Sequence, residues 1–287
     1  MHRRPGARIM EDMTIPQITL NTGAVIPQIG FGVYKVDDSE AEGVVSTALE
    51  AGYRSIDTAT LYGNERGVGR AIAASGIPRD EIFVTTKLWN SDQGSASAPA
   101  AVDRSLELLG LDAVDLYLIH WPTPERGLYL ETWTALEGVL ADGRARAIGV
   151  SNFLPEHLDA VVALGGTVPA VNQIELHPAL QQREVVSANI RLGIATEAWS
   201  PLGQGGALSD PVVVEIAERN GVTPAQAILA WHLASGRIVI PKSVTPSRIA
   251  ENLASVDVVL PGEDLERIDA LESGGRVGPD PATMNRA

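Results

Sequence analysis

Along the chain, short apolar runs alternate with longer stretches whose apolar positions recur every three to four residues. The short runs lie near residues 30–34, 53–57, 82–87, 114–120, 145–150, 169–174, 193–199 and 237–241 and read as strands. Helical patterns cover roughly 39–50, 65–74, 98–109, 129–141, 155–163, 182–189, 224–233 and 246–253. Eight such alternations with short connections predict an α/β chain closed as a (β/α)8 TIM barrel, not an open doubly wound sheet. Ahead of them, Ile18-Thr19-Leu20 and Val25-Ile26-Pro27 flank the turn signal Asn21-Thr22-Gly23, which predicts an N-terminal β-hairpin capping the barrel bottom.

Local signals agree with this layout. Ser39 followed by Glu42 has the spacing of a capping box. Pro155, Pro224 and Pro246 suit first-turn positions, where a missing N–H costs nothing. Asp142-Gly143 marks a helix end. Two longer segments carry extra helices, one from Pro211 to Arg219 and one from Gly262 to Leu271, followed by a loose tail. No linker or low-complexity tract divides residues 14–287, which read as one domain, while residues 1–13 read as a disordered arm or an upstream start codon.

Composition narrows the function classes. With no cysteine there is no disulfide, thiol nucleophile or thiolate metal site. A net charge of −14 argues against general affinity for nucleic acid or anionic membrane. No apolar run is long enough to span a bilayer and no signal peptide opens the chain, so a cytoplasmic location is expected. His2, His157, His177 and His232 form no metal-binding motif, and no Gly-x-Ser-x-Gly elbow is present, so no metal is expected.

The candidate chemistry collects at successive strand ends. Asp57 closes the run Tyr53–Ile56, Tyr62 follows in the loop, Lys87 ends the run from Ile82, and His120 ends the run from Val114. A tyrosine, with an ordinary pKa of about 10, becomes a useful acid when an ammonium stabilises its phenolate and a carboxylate holds that ammonium. Only Lys35, Lys87 and Lys242 are lysines, whose compact charge tunes more readily than that of arginine. The other cationic signal is Ile240-Pro241-Lys242-Ser243-Val244-Thr245-Pro246-Ser247-Arg248, a basic stretch where the last strand meets a helix N-terminus, as a phosphate site requires. Gly67-x-Gly69 falls inside a predicted helix, so dinucleotide binding of the Rossmann type is not expected.

Several strings carry a resemblance. The segment Asp57-Thr58-Ala59-Thr60-Leu61-Tyr62-Gly63-Asn64-Glu65, with Thr86–Asn90, His120-Trp121-Pro122 and Gly149-Val150-Ser151-Asn152-Phe153, resembles the aldo-keto reductase signatures. Gly32–Val36, Val171–Pro178 and Trp199–Gly205 are similar to bacterial 2,5-diketo-D-gluconate reductases within that superfamily. The resemblance implies hydride transfer from NADPH to a carbonyl carbon, with Tyr62 as proton donor. Lys87 would lower the pKa of Tyr62, Asp57 would hold Lys87, and His120 would orient the carbonyl. It further implies that Lys242, Ser243, Val244, Arg248, Glu251 and Asn252 hold the adenosine 2′-phosphate end. Trp199 would stack on the nicotinamide, with Ser151, Asn152 and Gln173 at its carboxamide. Ser200, Leu202, Gly203 and Gln204 would follow the pyrophosphate. Tyr34, Ala59, Trp89, His120 and Trp121 would surround the substrate.

The expectation is a monomeric NADPH-dependent reductase of aldehydes, dicarbonyls or keto sugars. The alternatives are a 2,5-diketo-D-gluconate reductase proper, a non-catalytic NADP(H) sensor on the same barrel, or a barrel hydrolase that needs no nicotinamide.

Overall fold

The computed structural model describes residues 14–287, so the expectation for residues 1–13 lies outside the described residues. Strands β1 (Gln17–Thr19) and β2 (Val25–Pro27) form the antiparallel hairpin. Eight parallel strands follow in one sheet whose spatial order is the chain order: β3 (Phe31–Gly32), β4 (Ser55–Asp57), β5 (Phe83–Leu88), β6 (Leu116–Ile119), β7 (Ile148–Ser151), β8 (Val171–Glu175), β9 (Ala195–Trp199) and β10 (Ile238–Val239). The sheet closes on itself through a parallel bridge between Ile29 and Val239, reinforced by Gly30 N donating to Val239 O at 2.8 Å. The barrel is therefore complete, although its first and last strands are shorter than the apolar runs suggested.

Helices α1 (Asp38–Glu50), α2 (Glu65–Ala74), α3 (Ser97–Leu109), α4 (Tyr129–Ala141), α5 (Pro155–Val162) and α6 (Arg183–Leu192) wrap the first strands. After β9 the chain makes the extra helix α7 (Pro211–Asn220) before α8 (Pro224–Ala234), and β10 leads into α9 (Pro246–Leu253). The second extra helix, α10 (Gly262–Asp269), stops short of the predicted end. Pro155, Pro224 and Pro246 each open a helix, and Asp142-Gly143 ends α4 as expected.

The Ser39–Glu42 capping box does not form. Helix α1 starts earlier, with Asp37 in the extended N-cap conformation, and Glu42 is drawn off to Arg70 at 2.7 Å. A proper capping box appears instead at α8, where Thr223 and Gln226 satisfy each other's backbone amides. Gly67-x-Gly69 has a packing role. A Cβ on Gly67 would lie 2.6 Å from Asp38 O and one on Gly69 would lie 2.2 Å from Leu109 O, so these glycines let α2 lie against α1 and α3.

Leu20 and Ile26 of the hairpin pack on Phe83, Leu116, Leu118, Ala147, Val171 and Ile238 at the strands' N-terminal halves. The hairpin plugs the barrel bottom with apolar side chains, and the opposite end is left for polar ones.

Candidate active site

Successive strand residues alternate between faces, so residues two apart share the barrel interior. The inward series in β5 runs Phe83, Thr85, Lys87; in β8 it runs Val171, Gln173, Glu175; in β9 it runs Ala195, Glu197, Trp199. Each series starts apolar beside the bottom plug and turns polar towards the strands' C-terminal ends, where barrel active sites are built.

The centre of this polar layer is a buried ion pair. Lys87 is 0% exposed, and its Nζ lies 2.6 Å from Asp57 Oδ1 and 2.9 Å from Thr58 O. Burial opposes the charge on Lys87, but the field of Asp57 and Tyr62 outweighs it and raises the ammonium above its ordinary value. The other Asp57 oxygen accepts from Gln173 Nε2 at 2.9 Å, and the same nitrogen donates to Glu197 Oε2 at 2.9 Å. Four strands thus contribute to one network in the barrel interior.

Tyr62 stands over it, half-buried, with Lys87 Nζ 5.2 Å from its ring centroid. Desolvation pushes its phenol up to about 12, against the lowering field of Lys87. The loop that carries Tyr62 is stapled by Asn64, which is fully buried. Its Nδ2 donates to Val33 O and Val36 O, and its Oδ1 accepts from Thr58 Oγ1. At the base of α2, Glu65 accepts from Thr86 Oγ1 at 2.7 Å, which ties the helix to β5.

His120 meets Tyr62 edge-on at 5.8 Å and Trp89 edge-on at 5.3 Å, and stacks on Trp121 at 6.5 Å. Burial, then the nearby Lys87 charge, holds its pKa well below the ordinary histidine value, so the ring is neutral. Its Nδ1 is buried with no partner among the described residues. Tyr34, half exposed, lies 5.0 Å from Tyr62, and Ala59 is buried at the start of the Tyr62 loop. The expected substrate residues therefore gather around the Tyr62–His120 pair.

Next to them is a set of donors and acceptors suited to a nicotinamide dinucleotide. Ser151 Oγ donates to Gln173 O, and Asn152 Nδ2 donates to His120 O and to Ser151 Oγ. Asn152 Oδ1 accepts from the indole Nε1 of Trp199, whose ring is half-buried. Asn152, Ser200 and Gln204 have φ of 64°, 49° and 53°, a left-handed backbone that costs energy in non-glycine residues and collects at functional sites. Leu202 and Gly203 lie in the same loop, with Gly203 resting on the buried ring of His177.

Further along the rim, Lys242 and Arg248 are exposed and form no ion pair among the described residues. They flank the start of α9, where the Arg248 and Ile249 amides donate to Thr245 O and Pro246 has none, while Thr245 makes no side-chain cap, so the Ser247 amide is left for an anion. Ser243 and Val244 lie between them, and Asn252 is buried towards the end of α9. Glu251 turns towards α8, where it accepts from Thr223 Oγ1 at 2.8 Å. Two exposed cations, one open amide and a half-buried indole on one rim fit NADPH. Among the described residues no cluster of three His, Cys, Asp or Glu is arranged to hold a metal, and no helix is long and apolar enough to cross a membrane.

Two features escaped the sequence reading. Glu197 is one; its signal was a carboxylate inside a short apolar strand, two residues before Trp199. The other is the C-terminal tail, which is not loose. Glu175, 0% exposed, accepts from Val277 N at 2.6 Å and Gly278 N at 2.8 Å, while His177 Nε2 approaches it at 3.0 Å. The tail then crosses to the Trp89 side, where Asn90 Nδ2 donates to Arg286 O at 2.7 Å. Nothing in the tail's composition signals this anchoring, because the partner is a glutamate some hundred residues earlier in the chain.

Comparison with known proteins adds to this geometry. The profile described as the aldo/keto reductase family matches residues 28–273. An aldo-keto reductase of Mycolicibacterium smegmatis is 56% identical over 270 residues, covering 94% of this chain and 98% of the relative. The methylglyoxal reductase DkgA of Yersinia pestis is 50% identical over 268 residues, covering 93% and 96%. A solved structure of a Gox0644 mutant in complex with NADPH superposes with a TM-score of 0.91 at 47% identity, covering 94% of this chain and 99% of that one.

Proposed function

The chain belongs to the aldo/keto reductase family, and from that premise we propose that it reduces small aldehydes and dicarbonyls to alcohols with NADPH, with Tyr62 delivering the proton. The observation that carries the reading is the fully buried Lys87, held at 2.6 Å by Asp57 and facing the Tyr62 ring.

Bound NADPH supplies the hydride that reaches the carbonyl carbon; the chain supplies position and protons. With its phenol at about 12, Tyr62 is in the acid form at neutral pH, the state a proton donor needs. Giving up that proton to the carbonyl oxygen leaves a phenolate, which the Lys87 ammonium stabilises, while Asp57 keeps the ammonium charged. Neutral His120, between Trp89 and Trp121, orients the carbonyl oxygen towards Tyr62. On the cofactor side, Trp199 would stack on the ring, Ser151, Asn152 and Gln173 would meet its carboxamide, and Ser200, Leu202, Gly203 and Gln204 would line the pyrophosphate. Lys242 and Arg248, with Ser243, Val244 and Asn252, would hold the adenosine 2′-phosphate end; two cations against a dianion favour NADPH over NADH. Glu251 acts indirectly, by holding α9 on α8.

The aromatic collar of Tyr34, Trp89 and Trp121 suits compact, partly polar carbonyl compounds, and the likeness to the Yersinia pestis methylglyoxal reductase supports a small dicarbonyl substrate. The test follows nicotinamide absorbance with NADPH or NADH against methylglyoxal, an aryl aldehyde, a steroid ketone and 2,5-diketo-D-gluconate. NADPH oxidation fastest with methylglyoxal or the aryl aldehyde supports the reading. A preference for 2,5-diketo-D-gluconate would move the substrate to keto sugars. Tight NADPH binding with no turnover on any of them would instead mark a sensor.

A further inference from the structure

Gln173 holds an unusual position for an amide. Its Nε2 carries two protons and donates both, one to Asp57 Oδ2 and one to Glu197 Oε2, each at 2.9 Å. Asp57 arrives from β4, across the barrel interior, and Glu197 from β9, in register with Gln173 on the neighbouring strand. Turned the other way, the amide would set its carbonyl oxygen against the Asp57 carboxylate that already pairs with Lys87. The chemistry of the partners therefore fixes which end of the amide faces them.

The free end then matters. Asn152 has both amide protons committed, to His120 O and Ser151 Oγ, and accepts from Trp199, so only the second lone pair of its Oδ1 is left for the carboxamide. Gln173 Oε1, by contrast, is reached by no protein donor among the described residues. Asp57 alone would not secure this arrangement. Its Oδ1 belongs to Lys87, its Oδ2 satisfies only one proton of the amide, and the terminal torsion of a glutamine is soft.

We propose that Glu197 is a positioning residue for the reduction: together with Asp57 it locks the Gln173 amide so that Oε1 accepts from the NH2 group of the nicotinamide carboxamide. The inference rests on the reading that Gln173 meets that carboxamide. It also accounts for a costly feature, a fully buried carboxylate placed beside another carboxylate, which packing alone does not require.

The test compares NADP with its 3-acetylpyridine analogue, which keeps the carbonyl and carries a methyl group where the NH2 was. Dissociation constants are measured for both, and for adenosine 2′,5′-bisphosphate, on the full chain and on the variants Glu197→Gln and Gln173→Ala. The wild-type protein is expected to prefer NADP by about tenfold, the worth of one buried hydrogen bond. In Glu197→Gln, whose amide can donate as well as accept, the preference falls to about threefold or less on the same scale. Affinity for the bisphosphate, which lacks the nicotinamide, stays unchanged. Should the glutamine variant not fold, Glu197→Leu gives the same readout, since it removes the acceptor and leaves no buried charge.

An undiminished preference in the Glu197 variants, with Gln173→Ala losing it, overturns the role of Glu197 and leaves the carboxamide reading intact. Equal preference in the wild-type protein and Gln173→Ala overturns that reading and this inference with it. Weakened bisphosphate binding in the Glu197 variants would mean general loosening and would also overturn the proposal.

Discussion

The ammonium of Lys87 lies 2.6 Å from the carboxylate of Asp57 with neither side chain open to solvent. A buried pair of this kind is far more costly to break on one side than to replace as a whole. Asp57→Ala leaves the Lys87 amine buried without its counter-ion, and is expected to lower unfolding free energy by about 3–5 kcal/mol in urea titrations. Methylglyoxal reduction should fall with it, because Lys87 loses the group that keeps it charged.

Tyr62→Phe removes the proposed proton donor and keeps the ring. The rate of carbonyl reduction should drop by roughly 10²–10⁴-fold, the usual worth of a positioned acid. NADPH affinity should hold, since the ring's contacts with Tyr34 and His120 survive. A variant that reduced methylglyoxal at the wild-type rate would leave Tyr62 without its assigned part.

The pH profile of reduction follows from the two shifted groups. Tyr62, raised to about 12 by burial, stays protonated through neutral pH, and His120, pushed well below its ordinary value by burial, stays neutral. In Glu197→Gln, where no carboxyl titrates near 7, the rate of reduction should therefore show no histidine inflection near the ordinary value of about 6.5. It should decline only on the alkaline side, while alcohol oxidation, which needs the phenolate, rises there. Initial rates in both directions across the pH range test the sign.

On the proposed reading, Arg248 and Lys242 would meet the 2′-phosphate that NADH lacks. Arg248→Ala should raise KM for NADPH by roughly tenfold or more, the worth of one charge-assisted hydrogen bond, and leave KM for NADH nearly unchanged. Equal losses with both cofactors would place Arg248 elsewhere in the work of the protein.

Glu197 links the site to stability. Desolvation first, and then the charge of Asp57, raises its carboxyl to about 7, with Gln173 and Lys87 opposing. A carboxyl raised on folding holds its proton in the native state where the unfolded chain has lost it. Its burden is therefore absent at low pH and appears as pH rises from the unfolded value through about 7. Glu197→Gln, which never ionises, should melt above the wild-type protein by a margin that widens from pH 5 to pH 8, measured by scanning calorimetry. The same variant is expected to lose part of its cofactor discrimination, so stability and function would pull in opposite directions at this residue.

Much of this was legible in the sequence. Strand and helix periods are local properties of the chain, and eight alternations leave little choice of fold. Asp57, Lys87 and His120 could be placed because strand ends on a barrel all point to one mouth, and Lys242 and Arg248 because a helix start beside basic residues is readable from a short stretch. The Ser39–Glu42 pattern misled because Arg70, on another helix, competes for Glu42.

By itself, then, the sequence determined what depends on near neighbours: the period of each element, the order of the strands, and which residue types arrive at the barrel mouth. Tertiary structure alone decided what depends on partners distant in the chain. The bridging of Asp57 and Glu197 by a single amide nitrogen joins residues more than a hundred positions apart. The anchoring of the tail on Glu175 is of the same kind. The strength and direction of a hydrogen bond are set by spatial distance and burial, and neither is written in the spacing of residues along the chain.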